Sequence, residues 1–179
     1  VGGGIIIDHK VYSGFNYAGA ELGHIVIEYN GRQCSCGRKG CWEAYSSATG
    51  LINMTKEKLA ECEEKGIPTL MTEFVKTEGK VSGKTAFACM KKGDKPAKEV
   101  VDMYISYLAC GLSNIINIFQ PEILVIGGGI CNEKNYLTDP LKAIIKEETY
   151  GNEGIKPTEL KIAELGNDAG IIGAAVLGL

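Results

Sequence analysis

The spacing of apolar positions changes several times along the chain, and each change marks an element. Three glycines lead into Ile5-Ile6-Ile7, then Asp8-His9-Lys10 and Val11-Tyr12. That order predicts a strand over Gly2–Ile7, a tight turn and a return strand. Residues 13–23 are rich in Gly and Ala and read as turns. Ile25 and Ile27 sit two apart, which predicts a short strand over His24–Glu28. A loop of Gly, Cys, Arg and Lys fills 29–41. Helical spacing sets in from Trp42 to Asn53, and a polar helix follows over Thr55–Lys65, stopped by Gly66-Ile67-Pro68. Residues 69–83 carry only weak patterning, and Thr85–Lys92 reads as a short helix ended by Gly93.

The strongest period lies between about Lys95 and Phe119. Val100, Val101, Tyr104, Leu108, Leu112, Ile115, Ile116 and Phe119 recur at helical spacing until Gln120-Pro121 ends the run. Ile123-Leu124-Val125-Ile126 reads as a strand buried on both faces, and Gly127-Gly128-Gly129 follows it. A helix is expected over about Asn135–Glu148, a strand over Leu160–Ala163, and a small-residue helix through Ala169–Ala175. The order is a hairpin, an inserted loop, then helix, strand, helix, strand, helix. That predicts an α/β domain with a mixed sheet.

Composition narrows the function classes. The chain has 179 residues, 45% of them hydrophobic, enough for a real core in a single domain. The net charge is −3 and no basic block exists, which argues against nucleic-acid binding by this segment. No apolar run is long enough for a membrane helix. The opening residues run straight into a strand pattern, which reads as the interior of a longer protein. Seven cysteines, an odd number with three crowded at Cys34, Cys36 and Cys41, suit a reducing cytoplasm and a metal site better than a disulfide framework. Cys62, Cys89, Cys110 and Cys131 read as small buried hydrophobes.

His24 with Cys34, Cys36 and Cys41 makes the donor set of a structural zinc: three thiolates and an imidazole, closed to water. Gly37 and Gly40 give the loop the backbone freedom to return Cys41 to the same ion. Arg32, Arg38 and Lys39 are placed to offset the net negative charge of such a centre. The competing reading is a surface loop with incidental cysteines. Glu21 and Glu43 flank the set, and two fixed carboxylates beside an imidazole suit the hydroxyls of a sugar. They are equally readable as solvated surface acids. Gly2, Gly3 and Gly4 and the run Gly127, Gly128 and Gly129 each adjoin an apolar strand. Such turns can offer backbone N–H groups to phosphate, or simply make a tight connection. Neither carries the lysine of a P-loop or the dinucleotide fingerprint.

Glu21-Leu22-Gly23-His24 followed by Cys34-Ser35-Cys36-Gly37-Arg38-Lys39-Gly40-Cys41-Trp42-Glu43-Ala44-Tyr45 resembles the E-x-G-H and C-x-C-G-x-x-G-C-x-E signature of the ROK family (repressors, open reading frames, kinases). VGGGIIID looks like the tail of that family's second phosphate motif, and His9 departs from it by standing where a glycine is common in the hairpin turn, so that turn is expected to be looser. Pro121–Gly129 looks like its adenosine motif, and Asp168–Ala175 like its closing helix. The resemblance implies an actin/hexokinase-like (ribonuclease H-like) ATPase lobe. Residues 1–179 would form the large C-terminal lobe, with a zinc insertion at about 24–43 and the N-terminal lobe absent. It implies zinc on His24, Cys34, Cys36 and Cys41, and sugar hydroxyls on Glu21, His24 and Glu43. Gly2–Gly4 and Gly127–Gly129 would line the nucleotide.

The activity implied is that of a cytoplasmic, homodimeric hexose kinase of carbohydrate metabolism, glucokinase first, using Mg-ATP. Polyphosphate as donor, and N-acetylmannosamine, fructose or allose as sugar, stay open. The family's first phosphate motif and its catalytic Asp belong to the other lobe. No residue here replaces that base, Asp8 and Asp168 included, so the chain alone is expected to be inactive. A sugar-sensing repressor of the same family, or a stand-alone zinc-stabilised interaction module, are the competing readings.

Overall fold

The computed structural model describes residues 1–151 and 154–176. They form two compact units, Val1–Gly111 and the remainder from Leu112.

In the first unit, β1 (Ile6–Ile7) pairs antiparallel with β2 (Lys10–Val11). Asp8 and His9 both take positive φ, 52° and 61°, the backbone of a two-residue primed hairpin turn. The turn is therefore tight, and His9 does not loosen it: Ile7 still faces Lys10 in register. A 3-10 turn, Leu22–His24, replaces the start of the expected strand over His24–Glu28. Only a single bridge, Val26 to Cys41, forms there, because the loop opposite folds on itself and offers no strand to pair with.

Five helices follow. α1 (Glu43–Ser46) is a single turn, and α2 (Ala48–Lys65) starts afresh at Ser47, whose Oγ accepts from Gly50 N at 3.0 Å. The expected break near residue 54 is absent, since Ser47 is the capping residue. Gly66, at φ 64°, closes α2 with Ile67 N donating to Cys62 O. α3 (Leu70–Glu78) occupies the weakly patterned stretch, and α4 is Thr85–Met90. α5 (Lys95–Phe119) buries Ala97, Val100, Val101, Tyr104 and Leu108 along one stripe. Phe87 meets Tyr104 edge-on at 6.5 Å between ring centroids.

Asp94 ties two of these helices together. Its carboxylate is buried and accepts from Thr69 Oγ1 (2.6 Å), Leu70 N (3.2 Å) and Ala97 N (3.3 Å). One side chain thus caps α5 and holds the start of α3. Asp94→Ala strands these donors and is expected to cost about 2 kcal/mol, read as a lower denaturant midpoint. Asp94→Asn should recover part of the loss, and an unchanged midpoint for the alanine variant would refute the role.

In the second unit, β3 (Ile123–Ile126) pairs in parallel with β4 (Glu159–Ile162), Ile123 opposite Glu159 and Ile126 opposite Ile162. Parallel and antiparallel pairing are thus both present, one in each two-stranded sheet. α6 (Asn135–Glu148) buries Leu137, Leu141 and Ile145 at every fourth position. Pro140 lies inside it, past the first turn. α7 is Ala169–Val176. β3 is not buried on both faces: Ile126 is buried, while Ile123 and Val125 are 46% and 55% exposed. The strand has β4 as its one neighbour among the described residues, so an all-apolar sequence alone does not cover it.

Candidate metal and substrate site

The loop after β2 is organised around four side chains. His24 ends its 3-10 turn, Cys34 and Cys36 lie on a small hairpin, and Cys41 stands where that hairpin runs into α1. Their donor atoms all fall within 4.8 Å of one another. Cys36 Sγ is 3.6 Å from Cys41 Sγ, and Cys34 Sγ is 3.7 Å from His24 Nδ1. Ligands about 2.3 Å from a tetrahedral ion stand roughly 3.8 Å apart, so the set fits zinc. Cys34 and Cys41 are buried and Cys36 is exposed.

Without an ion the thiols pull apart electrically. Cys34 is drawn down to about 7, chiefly by the Cys36 backbone N–H, while burial pushes Cys41 up to about 12. A divalent cation resolves this by stabilising every thiolate at once. Metal entry must displace protons, so affinity falls as pH falls. The four remaining cysteines lie outside the cluster. Cys62 and Cys89 are buried and their thiols pushed up by burial, as expected of small core hydrophobes. Cys110 and Cys131 are only half-buried.

The loop's backbone explains its glycines. Gly40 has φ 79°, and a Cβ there would overlap the carbonyl of Glu28. Gly37 turns the hairpin tip at φ 90°, its N–H donating to Cys34 O. Arg38 donates through Nη1 to His24 O at 3.2 Å, placing positive charge beside the cluster. The Arg32 guanidinium goes to Glu57 at 2.5 Å and lies over the Tyr45 ring, 5.3 Å from the centroid.

Of the carboxylates, Glu43 joins the site and Glu21 stays exposed on the turn that carries His24. Glu43 opens α1 two residues after Cys41. It is half-buried and held below the usual carboxylate range, first by the Val1 ammonium that donates to it and last by His24. Gly3 lies against this region; a Cβ there would stand 2.6 Å from Leu22 Cγ. Gly2 and Gly4 are exposed with open space around them. In the second unit Gly127, Gly128 and Gly129 follow β3 exposed, with Gly128 at φ 99° and Gly129 opening a 3-10 turn.

Residues that motif reading passes over hold this site in place. Trp42 is buried, its Nε1 donating to Tyr107 O at 3.0 Å on α5. Tyr45 is buried, its hydroxyl accepting from Arg32 N at 2.6 Å. Their aromatic character beside a metal loop was the one available signal.

The ROK family profile matches residues 1–179. The chain belongs to the ROK family. A glucokinase of Halalkalibacterium halodurans is 36% identical over 99% of this chain and 52% of its own length. A xylose repressor of Bacillus spizizenii is 27% identical over 97% of this chain and 40% of its own. Among solved structures, a ROK family glucokinase from Streptomyces griseus in complex with glucose and AMPPNP superposes with a TM-score of 0.85 at 29% identity, over 98% of this chain and 56% of that one. The α/β fold is that of ROK sugar kinases, actin/hexokinase-like. This ROK chain spans about half the length of the relatives it matches. No helix among its described residues is long and apolar enough to cross a membrane.

Proposed function

We propose that this chain is the large C-terminal lobe of a zinc-containing hexose kinase, which transfers a phosphoryl group from Mg-ATP to glucose. The seat of Glu43 and His24 on the cysteine cluster carries this reading. His24 turns Nδ1 toward the cluster, which leaves Nε2 to donate to a sugar hydroxyl oxygen. Glu43, two residues from Cys41, accepts from a hydroxyl. Donor and acceptor are thus fixed by one rigid centre, and Glu21 supplies a further acceptor from the turn before it. Where Val1 follows further residues its nitrogen is an amide, and Glu43 is released from that ammonium for the sugar. Zinc is structural here: four protein ligands leave no position for activated water. Gly2–Gly4 and Gly127–Gly129 face the nucleotide phosphates and adenosine through their backbone. The likeness to glucokinases supports the substrate and ATP as donor.

The hydroxyl proton must be taken up as the phosphoryl group arrives, and that base belongs to the other lobe. Asp8 is in the exposed hairpin turn and Asp168 is exposed at a 3-10 turn. With that base in the other lobe, the chain alone is expected to be inactive. The intact protein is read as a cytoplasmic homodimer that does not use this segment for nucleic acid.

The test uses the full-length protein, a hexose panel and ATP. Glu43→Gln keeps the shape and removes the charge. It is expected to raise KM for glucose about 10- to 100-fold, the worth of a charge-assisted hydrogen bond, with zinc content unchanged. An unaltered KM removes Glu43 from the sugar site. The likeness to xylose repressors favours a second reading, a sugar-sensing regulator. Sugar binding without turnover by the full-length protein would select it.

A further inference from the structure

The ligand loop is a hairpin whose base is Arg32 and Gly40. Gly40 N donates to Arg32 O at 2.8 Å, and Cys34 N to Arg38 O at 2.9 Å, with Gln33 bridging Lys39 between them. Cys34 and Cys36 lie inside this hairpin, and Cys41 lies one residue beyond its base. So few backbone bonds do not hold a loop at fixed spacing on their own. The base, however, is gripped from outside. The buried Tyr45 hydroxyl accepts from Arg32 N at 2.6 Å. Gly31 makes room for it, since a Cβ at that position would overlap the hydroxyl oxygen. The ring is clamped in turn. Tyr107 stacks on it at 4.3 Å between centroids, tilted 36°, and the Arg32 guanidinium covers it. Through its backbone Tyr45 belongs to α1, where Ala44 N donates to Cys41 O and Tyr45 N to Trp42 O.

One side chain therefore joins both ends of the ligand hairpin: its backbone follows Cys41 by one helical turn, and its hydroxyl holds the peptide two residues before Cys34. We propose that Tyr45 is a positioning residue of the metal centre, whose hydroxyl, through the Arg32 peptide, fixes the hairpin base and so the spacing of Cys34 and Cys36 from Cys41. This rests on the reading of the cluster as a zinc site. A ring needed only for packing would serve as well without its oxygen, and Tyr45→Phe separates the two roles.

Zinc release to a chromogenic chelator is measured well below the unfolding temperature, on chains loaded with one equivalent. Tyr45→Phe is expected to release zinc about ten-fold faster, the usual cost of losing an outer-shell partner, while Tyr107→Phe stays within about twofold. Tyr107→Phe loses only the bond from its hydroxyl to Glu28 Oε2, 3.0 Å long, and leaves the Arg32 N–H paired. Release unchanged in Tyr45→Phe, or equally accelerated in Tyr107→Phe, overturns the proposal. Wild-type chain that takes up no zinc at all instead removes the metal reading, and the proposal with it. Amide exchange in the wild type gives an answer without any variant. The Arg32 N–H is expected to be protected with zinc bound and to exchange faster on chelation; free exchange in the loaded chain overturns the proposal.

Discussion

Cys41→Ser is expected to abolish zinc binding and to unfold the region around residues 24–43, the largest effect of any single substitution in this chain. Cys41 is fully buried, and its thiol is pushed up to about 12 when no cation is present. Only a metal makes its thiolate comfortable there. Apart from the metal, the loop it closes is held by two isolated bridges, a few backbone bonds, the buried Cys34, the Tyr45 hydroxyl on Arg32 N and the Arg38 bond to His24 O. Structural zinc contributes about 10–16 kcal/mol in small zinc domains, far more than such a loop has in packing. Serine does not ionise near neutral pH, so the shell drops to three ligands. Metal analysis should fall from one zinc per chain to near zero, and limited proteolysis should cut within the loop while the α2–α5 core resists. Cys62→Ser is the control. It is as buried, lies outside the cluster, and should keep its zinc. Full zinc in Cys41→Ser would refute the ligand assignment.

The donor set was legible in the sequence because its spacing is local: three cysteines within eight residues and a histidine ten before the first. α5 was legible for a similar reason, since twenty-five residues of one period leave little ambiguity. What was not legible depends on distant partners. The expected strand over His24–Glu28 had the right residues and no strand to face. α3 was hidden because its start is held by Asp94, a carboxylate 24 residues away. The same holds for the site's supports. Trp42 finds its acceptor 65 residues on, and Glu28 its tyrosine 79 residues on. No window of sequence contains both members of either pair. Glu21 and Glu43 looked equivalent as motif residues. The structure separates them, because only Glu43 follows Cys41 directly into a helix.

Gly111 gives the second large effect, and there helix propensity and packing predict opposite signs. Alanine in place of a mid-helix glycine ordinarily stabilises by about 1 kcal/mol. Here a Cβ on Gly111 would overlap the Trp42 indole, which lies flat against this point of α5. Trp42 has no easy retreat, being 4% exposed and tied through Nε1 to Tyr107 O. Nor can its backbone move freely, with Cys41 before it and Glu43 after it. Gly111→Ala is therefore expected to destabilise by about 3 kcal/mol, overpacking outweighing propensity. The chain has a single tryptophan, so its fluorescence reports the displaced ring directly, as a red shift from a wetter indole. Trp42→Phe should itself cost stability by leaving a void, yet the double variant should be less damaged than the two single losses predict. The smaller ring vacates the space that the new methyl needs. Because Trp42 sits between a metal ligand and the proposed sugar carboxylate, Gly111→Ala should also speed zinc release and weaken glucose binding in the full-length protein. Additive losses would mean that the glycine and the tryptophan are not packed as described. A stabilised Gly111→Ala would mean that propensity alone governs this position.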